Sequence, residues 1–115
     1  MDTLTVANRL IELCSKNEFL QAQDELYAND ITRVETEGTI YTGKATMRQR
    51  EENFLATLSA INHTYYSAPL VTGSYFTVTL TMDIEIKKVG KRHLDEICVY
   101  KVEGGKIVFE QFFRG

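Results

Sequence analysis

The chain has 115 residues, about the size of one domain, and its 43% aliphatic and aromatic and 25% charged content is globular and argues against disorder. Its 13 basic and 16 acidic side chains leave a net charge of −3, which offers no global field to a phosphate backbone or an anionic lipid surface. No apolar run approaches a membrane span, and the N-terminus lacks a basic region followed by an apolar stretch, so neither nucleic acid nor membrane is expected as a partner and a cytoplasmic protein is expected.

In chain order, Leu4, Ala7, Ile11 and Cys14 step by three or four, with Leu10 and Leu13 widening the stripe, and Asp2 or Thr3 is placed to cap the helix they predict. "SKNE" at 15–18 interrupts the pattern. Phe19, Ala22, Leu26 and Tyr27 resume it, which predicts a second helix ending near 28–30. "ITRVETEGTIYTG" at 31–43 is rich in β-branched residues around a glycine and reads as two short strands joined at "TEG". A third helix is predicted from Lys44 to about Leu58, with Met47, Glu51, Phe54, Leu55 and Leu58 on one face.

From Asn62 onward the pattern is that of antiparallel strands, about 62–71, 74–88, 92–103 and 106–114. They are separated by "TGS", "KVGK" and "EGGK", each carrying a turn glycine. Pro69 falls in the first of them and favours an edge or a bulge. The order predicts an α+β domain over 1–115, a strongly curved antiparallel sheet with three helices on its concave face, forming a cone with a pocket.

Strand alternation nominates the pocket residues. In "SYFTVTLTMDIEI" Phe76, Val78, Leu80, Met82, Ile84 and Ile86 share an apolar face. The opposite face, with Thr77, Thr79 and Thr81, is solvated or suits a sheet-to-sheet contact. In "HLDEICVYKV" neither parity is clean. Lys101 and Asp95 make one face the wetter, which turns Glu96, Cys98 and Tyr100 inward; the reverse parity would put Ile97 and Val99 inside. An inward Glu96 needs a donor such as Tyr100, Tyr65 or His63, or a ligand, because a buried carboxylate without a partner is costly. The last strand offers Ile107, Phe109, Gln111 and Phe113 against Val108, Glu110, Phe112 and Arg114, with Gln111 either a pocket group or a core glutamine. His63 reads as a structural histidine near the pocket mouth, or as a general base.

Cys14 and Cys98 lie inside apolar patterns without metal-type spacing and are expected as buried reduced thiols. His63 and His93 have no ligand-spaced carboxylates, and there is no phosphate loop, dinucleotide glycine pattern or nucleophile elbow, so no metal and no cofactor are expected. The basic cluster Lys87, Lys88, Lys91, Arg92 and His93 surrounds a turn and reads as a solvated strand end.

Three segments, "ELYANDITRVETEG", "TYYSAPLVTGSYFTVTLTMDIEI" and "DEICVYKVEGGKIVFEQFF", together resemble the SnoaL-like branch of the nuclear transport factor 2-like superfamily, in order and over nearly the whole chain. The resemblance implies a cone fold, commonly dimeric through the sheet, whose enzymes include ketosteroid isomerases, polyketide cyclases and dehydratases. It implies a pocket for a mostly apolar small molecule, with a carbonyl group in the enzymes. Carried over residue by residue, the isomerase base falls on Glu35 in "LYANDITRVE". The oxyanion tyrosine falls near Leu10 and its aspartic acid near Cys98, neither of which is a comparable donor. The expected site is therefore Glu35 and Glu96 as base and acid, with His63, Tyr65, Met82, Cys98, Tyr100, Gln111 and Phe113 around the pocket. The expected function is small-molecule binding, with proton abstraction next to a carbonyl, or a noncatalytic homodimeric module, as the alternatives.

Overall fold

The computed structural model describes residues 1–115 as three helices and one seven-stranded sheet that is not closed. Helix α1 (Thr3–Ser15) starts at Asp2, whose carboxylate accepts from the Thr5 amide at 2.8 Å. Its buried stripe is Val6, Ala7, Leu10, Leu13 and Cys14, so Leu4, placed on the stripe by spacing alone, lies outside it. Helix α2 (Phe19–Leu26) buries Phe19, Ala22 and Leu26 in the same core. It gives way directly to strand β1 (Tyr27–Val34), so "YAND", which reads as the end of a helix, is strand.

Strand β2 (Ile40–Thr42) pairs antiparallel with β1, and helix α3 (Lys44–Ala56) follows it. Strand β3 (Leu58–Tyr66), β4 (Leu70–Thr72), β5 (Tyr75–Ile86), β6 (Gly90–Glu103) and β7 (Lys106–Arg114) complete the chain. The strand predicted over 62–71 is thus two pieces. Both pair with β5, and Pro69, which has no amide to offer a ladder, lies in the gap between them. Gly104 and Gly105 take φ of 58° and 75°, the positive pair that a two-residue turn between β6 and β7 requires.

The spatial order is β2-β1-β7-β6-β5-β3, with β4 beside β3 on the same side of β5. The β1–β7 pairing is parallel, so the sheet is mixed rather than antiparallel throughout. Returning from β7 to β1 in parallel brings Arg33 opposite Glu110, which an all-antiparallel order would not do. Irregular register in β1–β7, β3–β5 and β6–β7 adds local twist and bend to the strands. Phe76, Val78, Leu80, Met82 and Ile84 of β5 pack with Cys98, Tyr100 and Val102 of β6 against the buried stripes of α1 and α2. No helix is long and apolar enough to cross a membrane.

Candidate functional site

Between the helices and the covered face of the sheet lies a cavity of about 500 Å³. Its apolar wall is Leu80, Met82, Ile84 and Ile86 of β5, Leu94 of β6, and Leu10, Phe19 and Phe54 from the helices. That wall follows from the alternation of β5. Polar side chains enter from five elements: Gln23 on α2, Arg33 and Glu35 at the end of β1, Arg50 and Glu51 on α3, Arg92, His93 and Glu96 on β6, and Arg114 on β7.

The structure places Glu35, Glu96, Met82, Cys98 and Tyr100 on the cavity lining, and leaves His63, Tyr65, Gln111 and Phe113 off it. The reason lies in strand phase. Between the pairs Lys101–Phe109 and Val102–Ile107, β7 carries one extra residue, Val108. Parity therefore switches after Ile107, and Glu110, Phe112 and Arg114 stand opposite the inward Tyr100, Cys98 and Glu96, while Gln111 and Phe113 turn away. β3 is similarly out of phase: His63 and Tyr65 pair with Asp83 and Thr81 of the outer face, and Tyr66 lines the cavity instead. His93, at the rim, is held between Asp83 at 2.6 Å and Asp95 at 3.1 Å.

Behind the lining lies a group that sequence reasoning did not nominate. Glu110 is fully buried; the Tyr27 hydroxyl donates to its Oε1 at 2.5 Å and Arg33 Nε donates to its Oε2 at 2.7 Å. Burial pushes the Glu110 carboxyl upward, and the Arg33 guanidinium and Tyr27 hydroxyl oppose that push. Arg33 is itself only 9% exposed, and its guanidinium carbon lies 4.9 Å from the Phe112 ring centroid. Glu110 fixes this guanidinium through Nε, so that Nη1 and Nη2 remain for the cavity; Nη1 is 3.8 Å from Glu35 Oε1. The alternation Ile31, Arg33, Glu35 was the signal that could have found Arg33.

The four carboxylates differ in their company. Glu110 has Tyr27 and Arg33; Glu35 has Arg33 and, at 3.5 Å, Arg50, whose guanidinium also stacks on Tyr41. Glu96 has Arg114 at 3.4 Å. Glu51 has no hydrogen bond and no ion pair within the protein. Burial raises Glu51 and Glu96 above the ordinary carboxylate range, with Arg33 opposing it at Glu51 and Arg114 at Glu96. Burial likewise pushes the Cys14 thiol up to about 12 and raises Cys98, Tyr66 and Tyr100, so all four stay protonated near neutral pH. Neither cysteine is in a disulfide, and no group of three or more His, Cys, Asp or Glu side chains is arranged to hold a metal ion.

Residues 1–114 match the sequence profile of the SnoaL-like domain. The chain belongs to the SnoaL-like domain family. No protein of curated function matches this SnoaL-like chain. Among solved structures it is similar to a SnoaL-like protein from Mesorhizobium loti that carries a provisional polyketide cyclase name, with 26% identity, a TM-score of 0.89 and coverage of 98% of this chain and 99% of that one. A ketosteroid isomerase-like fold from Catenulispora acidiphila, crystallised with trimethylamine, shares 15% identity at a TM-score of 0.75, over 94% of this chain and 83% of that one. A cystatin-like protein of unknown function from Xanthomonas campestris shares 14% identity at a TM-score of 0.83, over 100% and 92%. The last two establish shared fold alone.

Proposed function

We propose that this SnoaL-like chain binds a small, mostly apolar molecule whose carbonyl oxygen is taken by Arg33. The observation that carries the reading is a guanidinium only 9% exposed, held from behind by Glu110, with no internal hydrogen bond at Nη1 or Nη2. Arg33 lines the cavity, so an acceptor oxygen there can take these free donors. A neutral acceptor suits the site better than an anion, because Glu110 and Glu35 already offset the charges of Arg33 and Arg50. The apolar strand wall supplies the driving force for the rest of the molecule.

A thermal-shift screen of apolar carbonyl compounds, polyketide fragments and fatty acids tests this. A ligand at a hundred times its dissociation constant adds about 2.7 kcal/mol of stability. The shift is expected to weaken in Arg33→Lys, which keeps the charge and loses the planar fork. Absence of a shift from every class overturns the reading.

Proton transfer is the second reading, favoured by burial of the Glu96 carboxyl, with Glu35 and Glu96 as base and acid. Glu35→Gln and Glu96→Gln, compared with the wild type for exchange of α-protons of any ligand found, decide it; unchanged exchange in both removes them. Pairing of two copies through the outer sheet face is a separate expectation. It is supported by Ile97, Phe113 and Tyr75, exposed by 50, 43 and 43% among the threonines of β5. Sedimentation of the wild type and of Ile97→Asp at micromolar concentration is expected to give a dimer and a monomer respectively; a monomeric wild type sinks the interface.

A further inference from the structure

We propose that the occupant of the cavity carries a hydroxyl group as well as a carbonyl, the hydroxyl donating to Glu51 on α3 while the carbonyl accepts from Arg33. The inference rests on the carbonyl reading above and extends it to a second anchor.

Glu51 is the one carboxylate in or behind the cavity that has no partner; Gln23 Oε1 and Arg50 Nε, also on the lining, are buried without one. Glu110, Glu35 and Glu96 are engaged by Tyr27, Arg33, Arg50 and Arg114. Glu51 faces the same space from α3 with no hydrogen bond or ion pair, and its near surroundings on that helix are Met47, which is fully buried, and Phe54, which lines the cavity. A carboxyl held against apolar groups without a partner costs free energy that a well-placed donor would recover. Arg33 on β1 and Glu96 on β6 line the same cavity as Glu51, so a molecule in it lies among them.

Charge selects the kind of donor. Arg33, Arg50, Arg92 and Arg114 line the cavity against Glu35, Glu51 and Glu96, with Glu110 directly behind, so the ionised groups balance. An ammonium group would leave surplus positive charge in a space of low polarity; a hydroxyl satisfies Glu51 without disturbing the balance. Arg33 provides donors and Glu51 an acceptor, a pairing complementary to a molecule with one acceptor and one donor on an apolar frame.

The experiment uses the full chain and one carbon skeleton: displacement of the neutral dye Nile red by decalin, 2-decalone, hydroxy-2-decalones with the hydroxyl on the far ring, and the matching amino-decalones. The best hydroxy-decalone is expected to bind about tenfold more tightly than 2-decalone, the increment of one good hydrogen bond. Glu51→Leu should erase that increment and Glu51→Gln, which keeps an acceptor, should restore part of it. Thermal melts of both variants check that they fold. A hydroxyl increment that is absent from the wild type, or that survives in Glu51→Leu, overturns the proposal, as does tighter binding of the amine than of the alcohol. Failure of 2-decalone to bind better than decalin overturns the carbonyl reading itself, which distinguishes the two failures.

Discussion

Arg33 and Glu110 face each other across the parallel strands β1 and β7, with Nε 2.7 Å from Oε2 and the Tyr27 hydroxyl on the other carboxylate oxygen. Each charge is buried because the other is there. Glu110→Ala is therefore expected to destabilise the fold by about 3–5 kcal/mol, since it leaves a guanidinium without its counter-ion. Arg33→Met should cost a comparable amount, and the double variant clearly less than the two together. Urea denaturation of the four proteins measures this, and additive losses would show that the pair does not act as a unit.

Glu51 gives a pH signature of opposite sense to a salt-bridged carboxylate. Its folded-state pKa is raised by burial above the ordinary value of 4.5, so between that value and the folded one the native state binds more protons than the unfolded state. Stability from this group accordingly falls as pH rises through that window, and the penalty is complete above it. Glu51→Gln is expected to raise the melting temperature at pH 7.5 by on the order of a few degrees, and the gain should shrink toward pH 4. A gain that grows on acidification contradicts the assignment.

Val108 sets the phase of the last strand. Deleting it joins Ile107 to Phe109 and leaves a regular ladder in which Ile107, Glu110 and Phe112 keep their places opposite Val102, Tyr100 and Cys98. A loss clearly smaller than the roughly 3–5 kcal/mol of Glu110→Ala is expected, read from the urea midpoint. A loss as large as that of Glu110→Ala would show that the bulge geometry itself, and not only the phase it sets, holds Glu110 on Arg33 and Tyr27.

The Cys14 thiol, pushed up to about 12 by burial, should react with iodoacetamide at pH 8 on the order of a thousandfold more slowly than a free thiol in the native protein. In urea both cysteines should label at the ordinary rate. Mass spectrometry follows each site, and rapid native labelling of Cys14 would contradict its protonated state.

The fold was legible where one period dominates a segment. The clean alternation of Phe76 to Ile86 named the cavity wall, and the glycines of "EGGK" marked the β6–β7 turn, because each of these signals is local. In β6 neither parity is clean; Lys101 and Asp95 only favour an inward Glu96, Cys98 and Tyr100 over the reverse, and the structure has these three on the lining. The last strand was read with a single parity from Ile107 to Phe113. One unpaired residue reverses that parity, and its presence depends on pairing with β6, which no window of β7 contains. The same limit hid Glu110. Its partners Tyr27 and Arg33 are 83 and 77 residues away in sequence, joined to it by a parallel pairing that the meander of the C-terminal half gives no hint of. Glu51 was placed on the right helical face, but its lack of a partner is a property of the assembled cavity.

The interrupted border of the sheet bears on what an added strand could pair with. One outer strand, β2, has three residues; the opposite border is split into β3 and β4 around Pro69, and β3 departs from regular register twice. Neither margin offers a neighbouring chain a long straight row of free amides and carbonyls, even though β5 and β6 form a hairpin with strands of 12 and 14 residues. Filament-like growth by strand addition is thereby discouraged at both ends.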